Sequence, residues 1–212
     1  MRRFAVNGLE MRSDPLFMRN EFEPDGKWGI PLIKSDDIDL TDVRLIACSD
    51  TRCNDVPENT MKGVHFFADD YRFSGVYNIP IQSWPKFRQY AFLLSPDFSL
   101  YMDMPIWRQI ENTAKNRWCG AWWQSKGAKV IPTISWAGIQ SFDFCFDGVE
   151  HGSIVAVSTV GCLKAKLRFI RGYDEMLKRI EPKAIIVFGK PFQEMSGNTI
   201  LVDYRQSRKV VR

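Results

Sequence analysis

From about residue 43 the chain alternates between short apolar runs and polar, turn-forming stretches. Runs rich in β-branched and aromatic residues predict strands near 43–48 (VRLIAC), 63–68 (GVHFFA), 90–95 (YAFLLS), 128–134 (AKVIPTI), 141–146 (SFDFCF), 153–158 (SIVAVS), 184–189 (AIIVFG) and 199–204 (TILVDY). Several of these are apolar at every position, which is the pattern of strands covered on both faces. SFDFCF differs. Phe142, Phe144 and Phe146 alternate with Asp143, Cys145 and Asp147, so a strand there would have one apolar and one polar face.

Helical spacing appears in two longer segments. Over 104–126, Trp107, Ile110, Ala114, Trp118 and Ala121 recur on one face. Asp103 and Pro105 suit the start of that helix, with Asp103 as its cap, and Gly127 suits its end. Over 163–181, Leu167, Ile170, Tyr173, Leu177 and Ile180 form the expected buried stripe, between Gly161 and Pro182. A shorter helix near 81–89 is limited by Pro85. Helices between buried strands imply right-handed crossovers and a largely parallel sheet. The expected fold is therefore α/β in a single domain. A regular eightfold barrel takes about 250 residues, and this chain has 212. An irregular or incomplete β/α barrel, or an open sheet, fits better. Residues 1–42 read as an N-terminal segment packed on the core, 43–204 as the α/β domain and 205–212 as a basic tail.

At 45% hydrophobic and 25% charged residues the chain resembles an ordinary globular domain, which excludes wholesale disorder and fibrous folds. No apolar run approaches the roughly 18 residues of a membrane helix, and MRRFAVNGLEMRSDP lacks the apolar core of a signal peptide. The expectation is a soluble, cytoplasmic protein with no membrane partner. The formal charge of +4 selects no partner by itself. Basic residues do cluster, at Lys164, Lys166, Arg168, Arg171, Lys178 and Arg179 and again at Arg205, Arg208, Lys209 and Arg212. These read either as a face for nucleic acid or as a solvated helix side and tail. Five cysteines without a C-x-x-C, and only two histidines, His65 and His151, give no zinc-binding spacing. Free thiols in a reducing compartment fit them better.

Parallel sheets bind ligands at the carboxyl ends of their strands. Those ends carry Ser49, Asp50, Asp69, Asp70, Ser95, Asp97, Ser135, Trp136, Asp147, Ser158, Thr159, Gly189 and Lys190. Such residues also make ordinary turns, but a whole row of acids and hydroxyls marks this rim as the candidate site. Asp143 and Asp147 would lie about 13 Å apart along a strand and cannot share one metal ion. Asp69 and Asp70 are adjacent, so only one points into a shared site. The favoured set is thus Asp97 with Asp69 or Asp70, as general base or as ligands of a divalent metal such as magnesium, with Asp69 and Asp97 the metal pair. Ser158, Thr159 and Gly161 in STVG would seat a phosphate at a helix start. Arg72, Arg117 and Lys190 would supply positive charge. Trp123 and Trp136, with Gln124 beside them, are candidates to stack and hold a base or sugar. Cys162 lies near the same helix start but has no histidine partner, and reads as an inert thiol.

The strings KWGIP (27–31), FFADDYRF (66–73), SPDFSLYMDMP (95–105), NRWCGAWWQSKG (116–127), VIPTISW (130–136), FDGV (146–149) and STVG (158–161) together resemble a domain-of-unknown-function family of about 200 residues. That family is carried by phages, prophages and other mobile elements of bacteria. The resemblance spans roughly residues 27–190. It brings no established activity and no site residues. It implies a gene product working in the cytoplasm of a bacterial host, in the company of proteins that handle nucleic acid or counter host defence. Two functions follow from the residues. One is action on a phosphate-bearing substrate, whether nucleotide, nucleic acid or nucleotide signal, at the strand ends. The other is non-catalytic binding of nucleic acid, a small ligand or a host protein, as an inhibitor of host defence would do. No feature of the chain sets an oligomeric state.

Overall fold

The computed structural model describes residues 8–207 and 211, with only the backbone described for Tyr204 and Gln206. Seven parallel strands form the centre: β1 Leu45–Ala47, β2 Gly63–His65, β3 Phe92–Leu94, β4 Val130–Ile131, β5 Ile154–Ser158, β6 Ala184–Phe188 and β7 Thr199–Val202. Strands β1 to β4 pair in sequence order, as do β5 to β7. The single parallel bridge Thr133–Ala156 joins the two sheets. The longer helices are α1 Pro80–Phe87, α2 Ile106–Ser125 and α3 Lys166–Ile180. A short antiparallel hairpin pairs Pro24–Asp25 with Ile30–Pro31.

The continuous apolar runs behave as their pattern demands. In β6, Ala184, Ile186 and Phe188 face one cluster, while Ile185 and Val187 face another. β5 divides the same way, with Ile154 and Ala156 on one side and Val155 and Val157 on the other. The inner cluster also takes Leu45 from β1, Phe92 and Leu94 from β3, Ile131 from β4 and Val202 from β7. The rings of His65 on β2 and Phe188 on β6 lie 4.5 Å apart. In a flat sheet those two strands would stand about 19 Å apart, at about 4.8 Å per step. The sheet therefore curls toward an incomplete barrel. Among the described residues no ladder joins β7 to β1, and the helical turn Tyr204–Ser207 packs beside β1.

SFDFCF is not a strand. Residues Ile139–Asp143 form a 3₁₀ helix, and Phe142, Phe144, Cys145 and Phe146 are all buried. The sheet has no room for another strand, because β4 and β5 already touch through Thr133–Ala156. The carbonyls that a ladder would satisfy are taken by arginines. Arg117 donates to Cys145 O at 2.8 Å and Asp147 O at 3.0 Å, and Arg179 donates to Phe142 O at 2.6 Å. Asp143 points outward and pairs with Lys27 at 3.4 Å.

The helix faces also differ from the sequence expectation. The buried stripe of α3 is Phe169, Tyr173, Met176 and Ile180, and Leu167 is 85% exposed. Gly172 sets this rotation, since a Cβ there would stand 2.2 Å from the Trp136 indole nitrogen. In α2, Trp107 is 64% exposed, whereas every residue from Asn116 to Trp123 is buried. That half is covered on two sides: Ile33 and Phe22 of the N-terminal segment and Val130 of β4 all belong to the cluster around it. Asp103 is not the cap of α2. Pro105 holds that position, and the Gln109 amide reaches back to Tyr101 O and Met104 O instead.

Candidate functional site

Because all seven strands run the same way, the loops that follow them share one end of the sheet. A cavity of about 660 Å³ opens there, lined by Ala47, Ser49 and Asp50 after or on β1, His65, Phe67, Ala68, Asp69 and Arg72 around the end of β2, Asp97 after β3, Ser158 and Val160 at the end of β5, and Ser207. Ala47, Phe67 and Ala68 supply apolar wall, Asp69 and Arg72 are exposed, and Asp50 and Asp97 add two further carboxyls. Asp69 and Arg72 stand 3.6 Å apart on the exposed rim. A second cavity of about 240 Å³ adjoins it and is lined by Leu100, Tyr101, Ile134, Trp136, Cys162 and Phe169. Asp97, Ser158 and Val160 line both cavities, so they form the ridge between them.

Asp97 is the most perturbed acid on this ridge. Its Oδ1 is enclosed and has no hydrogen-bond partner among the described residues. Loss of water around the carboxyl pushes its pKa up to about 7. The nearby charge of Asp70 adds to the rise, while the Ser135 hydroxyl and the Arg117 guanidinium oppose it. His65 is 3% exposed and lines the inner wall. Its Nδ1 accepts from the Phe67 N–H at 3.3 Å, which places the neutral ring's proton on Nε2. Nε2 has no partner among the described residues. Burial lowers the His65 pKa to about 4, so the ring is neutral at physiological pH.

The structure separates the sequence candidates into two groups. Asp69, Arg72, Asp97 and Ser158 line the main cavity, and Trp136 lines the adjoining one. The others serve different purposes. Asp70 turns its carboxylate to Ser99, accepting from its N–H at 3.1 Å and its hydroxyl at 2.7 Å, and so fixes the loop behind Asp97. Trp123 is 0% exposed and stacks on Phe66 in the core. Gln124 ties Lys34 O, the Lys34 N–H and Asp36 together on the opposite side of α2. Arg117 is 1% exposed. It donates to Asn116 Oδ1, Thr133 O, Cys145 O and Asp147 O, as an interior clip that no substrate can reach. Lys190 is exposed and lines neither cavity.

The STVG turn does not lead directly into α3. Thr159 is buried, with its N–H and hydroxyl both directed at Phe188 O. The Val160 N–H is held by Ser158 Oγ and the Cys162 N–H by Thr159 O. Gly161 takes the turn's left-handed φ of 80°, and a 3₁₀ turn, Leu163–Ala165, separates it from α3. Burial raises the Cys162 thiol pKa, which lowers its thiolate fraction at neutral pH. Among the described residues no group of three or more His, Cys, Asp or Glu could hold a metal ion. Asp50 and Asp69 are the carboxyls most open to one, each lining the main cavity.

His65, Tyr101, Cys162 and Ser207 are cavity residues that the sequence reading did not select. A histidine inside the otherwise apolar strand run GVHFFA was the one available signal for the first. Of the basic residues on 164–179, Lys166 pairs with Glu194 and Arg179 with Glu175. Lys164, Arg168 and Arg171 are exposed. Arg208, Lys209 and Arg212 lie outside the described residues.

Residues 22–205 match the family model described as a domain of unknown function, DUF4417. The chain belongs to that family. The DUF4417 segment spans both cavities apart from Ser207. Two relatives are phage proteins. The Gene 1 protein of Mycobacterium phage L5 is 37% identical over 180 residues, covering 84% of this chain and 78% of the relative. The Gene 1 protein of Mycobacterium phage D29 is 42% identical over 130 residues, covering 60% of this chain and 48% of the relative. The resemblance to a phage-carried family therefore holds. No solved structure matches the chain. No helix among the described residues is long and apolar enough to cross a membrane.

Proposed function

We propose that this DUF4417 protein is an enzyme acting on a phosphate-bearing substrate in the main cavity, with Asp97 as its proton-transfer group. The observation that carries this reading is Asp97 itself. It is a carboxyl with one enclosed, unpartnered oxygen, set on the wall shared by two cavities and titrating near neutrality. A general base works best when its pKa lies near the working pH. In the proposed step, ionised Asp97 takes a proton from a water attacking phosphorus. A new P–O bond forms as the bond to the leaving oxygen breaks, and the proton is returned to that oxygen.

Arg72 is the cationic side chain on the cavity wall, placed to offset negative charge as it develops on phosphate oxygens. Asp50 and Asp69 offer the kind of donor set that magnesium uses, one or two carboxylates completed by substrate phosphates. Such a cation would neutralise phosphate charge in a cavity that otherwise carries three acids. Asp97 suits proton transfer better than metal ligation, because its carboxyl is readily protonated and half enclosed.

The test measures phosphate release from 5′-nucleotides, ribose 5-phosphate and pyrophosphate, with and without magnesium. Asp97→Asn is expected to abolish turnover while keeping a cooperative melt. Turnover retained in the Asn variant would remove Asp97 from the chemistry.

One observation favours binding without catalysis as a second reading. Val160, Leu163 and Leu167 are exposed apolar side chains beside the exposed Lys164, Arg168 and Arg171, a mixture suited to a host protein or a nucleic acid. Under that reading Leu163→Asp and Leu167→Asp, and not Asp97→Asn, would abolish the protein's effect in the host cell.

A further inference from the structure

The smaller cavity beyond Asp97 has no role in the chemistry above, yet it is firmly built. Its Trp136 ring stands 5.0 Å from Phe169 and 6.2 Å from Phe146. Helix α3 presses against the indole through Gly172, where a Cβ would fall 2.2 Å from the ring nitrogen. The facing wall, 99–101, is pinned from three directions. Asp70 holds the Ser99 N–H and hydroxyl, the Asn112 amide donates to Ser99 O at 2.8 Å, and the Gln109 amide donates to Tyr101 O at 3.1 Å.

The cavity is thus a fixed slot whose aromatic side is Tyr101, Trp136 and Phe169, with Ser99 and Ser135 adding polar groups to its wall. Its volume of about 240 Å³ is below the roughly 300–1,000 Å³ of a site for a whole drug-sized ligand, and matches a single planar ring system. Only the Asp97–Ser158–Val160 ridge separates it from the polar cavity.

We infer that the slot is a base subsite: a nucleotide lies across the ridge, its base against Trp136 and its phosphate in the main cavity. This deepens, and rests on, the reading of the main cavity as the phosphate site. It names the substrate class as a nucleotide, and it distinguishes a nucleotide from a sugar phosphate or an inorganic phosphate, neither of which has a ring to place there. Stacking on a fixed aromatic is tolerant of base identity, so the slot selects for a base rather than for one particular base.

The full chain would be titrated calorimetrically with the adenosine, guanosine, cytidine and uridine 5′-monophosphates and with ribose 5-phosphate. At least one nucleotide is expected to bind tenfold or more tighter than ribose 5-phosphate. Trp136→Leu is expected to bring that nucleotide to the level of ribose 5-phosphate while leaving ribose 5-phosphate unchanged.

Cys162 supplies a second readout that keeps Trp136 intact, because its side chain lines the slot. Cys48, Cys119 and Cys145 are buried and Cys53 is exposed, so in a Cys53→Ser background iodoacetamide reports on Cys162. The nucleotide is expected to slow that alkylation at least severalfold, and ribose 5-phosphate to leave it unchanged. Equal binding of nucleotide and ribose 5-phosphate overturns the base subsite and leaves the phosphate reading standing. Nucleotide binding that neither needs Trp136 nor protects Cys162 overturns it as well. Failure of every phosphate-bearing probe to bind, with or without magnesium, overturns both.

Discussion

Replacing Arg117 by methionine is a direct test of how the interior is held. Among the described residues no carboxylate forms an ion pair with the guanidinium. Four oxygens surround it: Asn116 Oδ1 at 2.7 Å, Thr133 O at 2.8 Å, Cys145 O at 2.8 Å and Asp147 O at 3.0 Å. Two of them keep another donor after the substitution. Asn116 Oδ1 still accepts from the Ser95 hydroxyl, and Thr133 O from the Asn116 amide. Cys145 O and Asp147 O lose the donor shown for them, at about 1–3 kcal/mol for each buried, unsatisfied group.

Methionine relieves part of this, because a buried cation is itself costly. Desolvation already depresses the Arg117 pKa to about 10. The backbone carbonyls cannot be exchanged for apolar groups, however, so the balance falls against the variant. A net loss of roughly 3 kcal/mol is expected, which for a chain of this size lowers Tm by about 6–12 °C. Urea unfolding followed by tryptophan fluorescence measures it. A loss under about 1 kcal/mol with an unchanged m-value would refute the clip. Arg117→Lys should recover little, since one ammonium cannot reach carbonyls on both sides of the segment.

Asp97 and His65 should pull the pH dependence of stability in opposite directions. Folded Asp97 keeps its proton up to about pH 7, whereas the unfolded carboxyl loses it near 3.8, so this group makes stability fall as pH rises from about 4 to 7. Folded His65 stays neutral down to about pH 4, whereas the unfolded ring protonates near 6.5, so stability falls as pH drops from about 6.5 to 4. Urea midpoints from pH 4 to 8 should show the first slope in His65→Phe and the second in Asp97→Asn, and parallel profiles would contradict both assignments. Gly120→Ala should cost about 1–3 kcal/mol from overpacking, because its Cβ would lie 2.4 Å from Ile33 Cδ1. Ile33→Val removes that methyl and should recover part of the loss in the double variant; a double variant no more stable than Gly120→Ala alone would place the strain elsewhere.

The sheet was legible because β5 and β6 are apolar on both faces, a pattern few other elements produce. Parallel pairing followed from the helices between strands, and the strand ends then gathered Asp69, Asp97 and Ser158. SFDFCF misled because alternation reports burial on one side only where a sheet is present to bury it. There the neighbouring arginines satisfy the carbonyls, information that lies 28 or more residues away in sequence. Trp123, Gln124 and Arg117 misled for a related reason. A helix covered on both sides hides residues that periodicity places outside, and only the N-terminal segment around Ile33 reveals the second cover. The slot was partly legible through Trp136. Tyr101, Cys162 and Phe169 reach it by folding back from loops and from α3, which no local pattern records.

The polar interior and the site are one arrangement. Ser95, two residues before Asp97, donates its hydroxyl to Asn116 at 2.6 Å and accepts from the Thr133 N–H at 2.7 Å. Thr133, two residues before Ser135, gives its carbonyl to both Asn116 and Arg117. The carboxyl ends of β3 and β4 are thereby locked together through α2, and the loops leaving them carry Asp97 and Ser135, which both line the smaller cavity. An aspartate at Arg117's elbow would form an ion pair and cancel its charge. Carbonyl partners satisfy the donors, and the charge of Arg117 acts, after the Ser135 hydroxyl, against the desolvation that raises the Asp97 pKa. The cation buried among carbonyls thus adds to the Ser135 hydroxyl in offsetting the desolvation that holds the Asp97 pKa up at about 7.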